Sequence, residues 1–543
     1  MRTNSRNENL PWIRIRFNAK SSILVAISIL LFVGIAGCGG GPGTPPGAFV
    51  LSSPENGATG VSLEPTLTWT DADGETNYTV EIDDENTFSP PLVHQDTGIA
   101  SGTTSFVIPG GALVGSTTYY WRVTATNSTG STTASNAPFS FTVLSSGALV
   151  PGFGADGFAT SNPSAGIDRA RGIAIGSTAM YVIGYDESPG NIQWRIEKRN
   201  LTDGSLVPGF GTGGVATSNP STGPDMAQSI AIDSTAMYVV GYDESPENRQ
   251  WRIEKRSLTD GNLVSGFGVG GVVTSDPSTG YDAAFSIDVD STAMYVVGYD
   301  ASLESWQWRI EKRSLTDGGL VPGFGTGGVA TSNPSTGHDM ARSIAIDSTA
   351  MYVIGYDYSP GNIQWRIEKR SLTDGSLVPG FGTGGVATSD PSTGPDMAYS
   401  IAIDSAAMYV VGYDYSPGNI QWRIEKRSLT DGSLLQGFGI GGVATSNPST
   451  GVDMAYGIAV GSTAMYVVGR DCSPGNDQWR IEKRSLTDGS LVPGFGTGGV
   501  TTRNPSTGHD AAQSIAIDST AMYVVGYDDS PDNYQWRIEK RVE

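Results

Sequence analysis

The sequence predicts an all-β protein: a seven-bladed β-propeller with an N-terminal β-sandwich in front of it. Three observations carry that prediction. A stretch beginning "GALVPGFG" at Gly147 returns at Gly204, Gly261, Gly318, Gly375, Gly432 and Gly489, 57 residues apart each time. Each unit reads as four short strand-like runs separated by turn residues, with no helical period. Glycine is abundant, at 73 of 543 residues, and charged residues make up only 16%, a balance suited to many tight turns.

The chain opens with a targeting segment over residues 1–37. Arg2, Arg6, Arg14, Arg16 and Lys20 form a positive start, and an apolar run follows from Ile23 to Ile35. That run is short for a membrane span. It ends in Ile35-Ala36-Gly37-Cys38, which resembles the lipobox of bacterial lipoproteins. The resemblance implies cleavage before Cys38, diacylglycerol on its sulfur, and a mature chain anchored to a membrane of the bacterial cell envelope. The alternatives are an ordinary signal peptide or a single membrane helix. Gly39 follows in place of the aspartate associated with inner-membrane retention, so the outer membrane or cell surface is expected. Residues 38–47 form the lipidated cysteine and a Pro/Gly linker that lifts the rest off the membrane. Cys472 is the second of two cysteines, so no disulfide framework is expected.

Residues 48–145 show period-2 strands between Gly, Asn and Ser turns. The clear runs are "PTLTW" (65–69), "YTVEI" (78–82), "TSFVIP" (104–109), "TYYWRVTATN" (118–127) and "FSFTV" (139–143). The segment resembles a fibronectin type III or related immunoglobulin-like sandwich, with Trp69 in the position of its core tryptophan and without the cysteine pair of antibody domains. "DADGE" at 71–75 lacks the ligand spacing of a calcium loop and reads as a turn. A spacer domain is expected.

Seven units of 57 fill 399 residues, and 147–543 supplies 397. In the second unit the four runs are "GGVATS" (213–218), "SIAID" (229–233), "AMYVVGYD" (236–243) and "QWRIEKR" (250–256). Four strands per unit match propeller blades. An open solenoid would want polar capping repeats, whereas the first and last units here are as regular as the rest. With "SIAID" innermost, each sheet is completed by the next unit's "GGVATS". The array then begins on a lone outer strand, "GFATS" (157–161), which completes the last sheet and leaves no open edge. "QWRIEKR" recurs letter for letter in all seven units. Its Trp, Ile and Lys fall on one strand face and its Arg, Glu and Arg on the other. Long side chains there fill the gap between splayed blades, with Arg–Glu pairs expected between neighbouring blades.

The motifs "GSLVPGFGTGGV", "D-M-A-x-S-I-A-I-D", "YVVGY" and "WRIEKRSLTDG" also resemble the delta-60 repeat family, over 147–543. The turn "DST" departs from the family's Asp-Gly style turn. The resemblance implies a bacterial β-propeller and no particular reaction.

A formal charge of −22 argues against nucleic acid as a partner. Of three histidines, His94 lies in the sandwich, while His338 and His509 share a position filled by other residue types in the remaining units, so they read as surface variation. Neither a histidine metal cage nor a catalytic triad has the raw material, and no catalytic motif is visible. Asp168, Asp225, Asp282, Asp339, Asp396, Asp453 and Asp510 recur just before each inner strand, near the mouth of the expected channel. They read either as a ring holding a cation such as Ca²⁺ or as Asx-type caps of their own loops, and no other cofactor is expected. The loop before "QWRIEKR" varies between units. It and the neighbouring "NPSTGxD" loops place Arg249, Tyr281, Trp306, Tyr358, Tyr415 and Tyr534 on one face, as exposed residues suited to a glycan or a protein partner. The expected function is a non-catalytic cell-envelope lipoprotein, a surface binding or scaffold module. The alternatives are an extracellular enzyme acting on polysaccharide through channel-mouth carboxylates, and a purely structural surface component.

Overall fold

The computed structural model describes residues 43–543, apart from 110, 189, 246, 247, 303, 304, 360, 417, 474, 531 and 532. Residues 1–37, expected to be a targeting segment, and Cys38 lie outside the described residues. Those described form strands and turns without a helix.

Residues 48–145 build two sheets over one core. Leu51–Ser53, Thr66–Trp69 and Ser105–Val107 make the smaller sheet. The larger runs in space through Ala58–Val61, Phe139–Val143, Thr118–Asn127, Asn77–Asp83 and His94–Ala100, with Gly130–Thr133 folded onto Thr118–Asn127. Alternation on Thr118–Asn127 buries Tyr119, Trp121 and Val123 beside Trp69. Arg122, on the opposite face, pairs with Glu81 at 2.6 Å. The start of the segment differs from a free linker. Gly47 N–H donates to the Asp73 carbonyl (2.8 Å), and the Thr44 carbonyl accepts from Asn127 and Thr129 (2.9 and 2.8 Å), so residues 44–47 are laid onto the sandwich.

From Gly147 onward the described residues form seven four-stranded antiparallel sheets. In the second unit the order is Met226–Ile232, Ala236–Asp243, Gln250–Ser257 and then Val272–Ser275 from the following unit. Phe158–Ser161 pairs with Trp536–Glu539, so the first strand of the array completes the last sheet. Each inner strand packs against that of the next unit, and Ala511–Ile517 of the last packs against Arg169–Ile175 of the first. The architecture is repeat-built, all-β and propeller-like.

Strands such as Ala236–Asp243 are buried along their whole length because both faces are covered by neighbouring sheets. The core lies between units, not within them. Tyr352, Ile354 and Trp365 of the fourth unit pack with Ala398, Ile401, Met408 and Val410 of the fifth. The fourth copy of "QWRIEKR" shows how the charges are placed. Trp365 Nε1 donates to the Tyr413 carbonyl (3.0 Å) and Lys369 Nζ to the Leu429 carbonyl (2.7 Å), both in the next unit. On the other face Glu368 is held by Arg366 (2.8 Å) and Arg370 (2.7 Å). The Arg–Glu pairs therefore lie within one strand, not between blades as expected. Residues two apart on a strand project from the same face, close enough for a two-armed clamp. The crossing to the preceding sheet is made by Ser332, whose hydroxyl donates to Glu368 (2.6 Å).

Candidate functional site

Each inner strand carries a β-bulge. Pairing with the second strand skips one residue, between Ala227 and Ser229 in the second unit and at the equivalent place in the other six. The glycine opposite, Gly241, permits the close approach: a Cβ there would collide with the Met226 carbonyl oxygen. A bulge re-aims the side chain of its extra residue. Here the extra residues are Arg171, Gln228, Phe285, Arg342, Tyr399, Tyr456 and Gln513, and together they line one cavity of about 250 Å³ at the meeting point of the seven inner strands. Sequence reasoning missed this set. The signal was the "x" of "D-M-A-x-S-I-A-I-D", the position at which otherwise matching copies disagree.

The cavity wall is basic and aromatic. Arg342 lies over Phe285 (4.8 Å) and Tyr399 (5.1 Å), and Tyr399 packs edge-on to Tyr456 (5.3 Å). Arg171 donates to Gln513 Oε1 at 3.1 Å. Towards the loops a second tier follows, where Arg169 lies over Tyr527 and Tyr534 (4.3 and 4.2 Å) and Arg249 lies over Tyr242 (4.0 Å) while pairing with Glu244 (3.2 Å).

The seven aspartates are not gathered into a common group. In the second unit Asp225 accepts from Ser221 N–H (3.2 Å), Ser221 Oγ (2.6 Å) and Glu244 N–H (3.1 Å), and the same three bonds recur around Asp168, Asp282, Asp339, Asp396, Asp453 and Asp510. All seven are fully buried. Burial raises the pKa of Asp225 above the ordinary carboxylate range, against the lowering pull of these bonds. Their oxygens are spent on tying one loop to the next. Among the described residues no group of three His, Cys, Asp or Glu side chains is placed to hold a metal ion.

Of the six residues expected on an exposed face, Tyr281, Tyr358 and Tyr415 are exposed, at 56%, 43% and 38%. Arg249, Trp306 and Tyr534 turn inward and are half-buried. Trp306 stacks between Tyr299 (4.5 Å) and His338 (4.4 Å), and Tyr534 meets Tyr527 edge-on at 5.3 Å. The backbone explains this correction. The carbonyl before each "QWRIEKR" accepts from the N–H of the next unit's loop aspartate, as Trp306 does from Asp339 (3.0 Å), and that pins the residue over the mouth. The two histidines are exposed, as expected of surface variation. His509 Nδ1 lies 2.9 Å from Asp477, which also pairs with Arg470 and accepts from the Cys472 thiol (2.9 Å). Burial, then the hydrogen bond to Asp477, pushes the Cys472 thiol up to about 11, which favours its protonated form.

Asp288 stands on the third inner strand where the other six units carry alanine. It accepts from the Val289 and Ile346 amides (2.8 and 3.0 Å), and burial pushes its carboxyl up to about 6. A raised folded-state pKa contributes stability that is complete below the unfolded value near 4 and is lost as pH rises through 6. Asp288→Ala is therefore expected to raise the melting temperature at pH 8, by the equivalent of about 1–2 kcal/mol, and to lose that gain by pH 4. Melting curves across that range check it, and an equal effect at both ends would contradict the assignment.

The sheets and the bulge-lined cavity define a repeat-built, propeller-like β protein with a central cavity. No family model matches the chain, and no curated protein matches it. Among solved structures the chain is similar to Sqt1 from Chaetomium thermophilum, at 11% identity and a TM-score of 0.40, over 70% of this chain and 100% of that one. It is also similar to a Bombyx mori GH32 β-fructofuranosidase in complex with sucrose, at 11% identity and a TM-score of 0.28, over 71% and 90%. A tetra-tandem repeat from the extending region of a large adhesion protein matches at 12% identity and a TM-score of 0.12, over 89% and 95%. Each of these likenesses is distant.

Proposed function

We propose that this chain is a non-catalytic binding module of the bacterial cell envelope. In this reading it is a lipoprotein held at Cys38, with a fibronectin type III or immunoglobulin-like stalk and a seven-bladed β-propeller of delta-60 repeats. Its loop face and channel mouth take a glycan or a protein partner. One observation carries the binding role: the copies agree at packing positions and differ where side chains line the channel and its mouth. "QWRIEKR" is identical seven times, whereas the bulge position carries Arg, Gln, Phe or Tyr. Exposed turns away from the channel vary less, "LTDG" being unchanged in all six copies and the "GFGxGG" turn carrying Thr in four of six. An enzyme working through the mouth aspartates is disfavoured by their three hydrogen bonds apiece.

The test is a glycan-array and partner-capture experiment on the mature chain, 38–543. Replacing Tyr281, Tyr358 and Tyr415 together by Ala is expected to weaken binding about tenfold or more with the melting temperature unchanged. Full retention of binding by that variant would reject the loop face as the contact surface.

A further inference from the structure

Most arginines among the described residues are held by carboxylates. Those of the third strands are held by carboxylates, as Arg366 and Arg370 are by Glu368, and at the mouth Arg249 and Arg470 pair with Glu244 and Asp477. Arg169, Arg171, Arg342 and Arg503 have no ion pair among the described residues, and of these Arg171 and Arg342 line the central cavity. Their Nε atoms are buried without a hydrogen-bond partner. Arg171 donates to the neutral Gln513 amide and lies over Tyr185 (5.7 Å), and Arg342 lies over the faces of Phe285 and Tyr399. They stand in the first and fourth of seven units, on opposite sides of the cavity, whose bulge residues include no carboxylate.

Two guanidiniums without counter-ions are unusual in a chain of net charge −22, which has carboxylates to spare. Their charge is partly desolvated, so an entering anion meets donors that no protein group competes for. Phe285, Tyr399 and Tyr456 stand beside them, the rest of the lining is polar and includes Ser229, Ser286, Ser343, Ser400 and Ser514, and the cavity, about 250 Å³, has room for a ligand of one ring. A free inorganic anion would use the arginines and leave the hydroxyls of the lining idle. A ring-shaped ligand carrying a carboxylate uses both.

We propose that the central cavity binds an acidic sugar, a saccharide unit bearing a carboxylate. Arg342 takes the carboxylate, the sugar ring lies against Tyr399 and Tyr456, and Arg171 holds the positive field from the far wall. This rests on the reading of the protein as a binding module and deepens it.

Galacturonate and glucuronate, with galactose, glucose and sodium sulfate as comparison probes, are titrated against mature 38–543 by calorimetry and thermal shift. Gln already occupies two bulge positions, so Arg171→Gln and Arg342→Gln keep a residue type the fold accepts. The uronates are expected to stabilise the wild type, with at least tenfold weaker binding in the double variant, whose unliganded melting temperature stays the same. Three results would overturn the proposal: no response to uronates, an equal response to the neutral sugars, or sulfate matching the uronates at equal ionic strength. Neutral-sugar binding that the Arg variants keep and the Tyr281, Tyr358 and Tyr415 variant loses would overturn this inference alone. Loss of every glycan and partner response would reject the binding reading itself.

Discussion

A chain that begins at Asn162, and so lacks Phe158–Ser161, is expected to melt at a much lower temperature than one beginning at Gly147 and to aggregate. That strand supplies the outer partner of Trp536–Glu539 and closes the last sheet. Phe153 and Ala159 go with it, and both are buried in a core shared with Tyr523, Trp536 and Ile538. Losing the Phe153 side chain alone costs about 3–5 kcal/mol on the scale of large-to-small core changes. The lost ladder also leaves Gln535–Val542 as an open edge, ready to pair with another chain. Melting curves and size-exclusion chromatography of the two chains check this. Adding a peptide of residues 147–161 is expected to restore the melting temperature, because the strand is joined to its sheet by contacts and not by sequence continuity. Equal stability of the two chains would show that the circuit of sheets does not depend on this closure.

Glu368→Ala is expected to be nearly as damaging, at about 3–5 kcal/mol, because it strands two mostly buried guanidiniums. Glu368 is fully buried and clamped by Arg366 and Arg370, with Ser332 as a third donor. Burial alone would push its carboxyl up. The two guanidiniums outweigh that and hold it below the ordinary range. A lowered folded-state pKa contributes stability that is present above the unfolded value near 4.3 and is lost as pH falls through the folded one. The variant's deficit should therefore be full at pH 7 and shrink in acid. The same direction holds at Glu197, Glu254, Glu311, Glu425, Glu482 and Glu539. Seven such sites add up, so the wild type should unfold steeply in acid. A deficit at pH 7 below about 1 kcal/mol would mean that the clamp contributes little beyond a surface ion pair.

The role of "QWRIEKR" illustrates how far pattern reading reaches. Its alternation placed Trp, Ile and Lys on one face and Arg, Glu and Arg on the other, and the strand does present them so. The partner of each charge was not legible. Whether Glu368 pairs along its own strand or across to the next sheet depends on the distance between sheets, which no local pattern encodes. The loop aromatics show the same limit. Tyr358 and Trp306 look alike as variable aromatic loop residues, yet one is exposed and the other lies in a stack. Trp306 ends its loop between the rings of Tyr299 and His338, whereas Tyr358 begins its loop with the ring left exposed.

By itself the sequence determined the period, the four strands per unit, their order within each sheet and the phase that lets the first strand close the last sheet. These follow from alternation, turn residues and spacing, all of them local properties repeated at a fixed interval. Tertiary structure alone decided that the loop aspartates are spent on their own turns and that Arg171, Phe285, Arg342, Tyr399 and Tyr456 share one cavity. Those five lie up to 285 residues apart in the chain. They meet because a bulge at the same place in each unit turns one side chain toward the centre, and the circuit of sheets brings the bulges together.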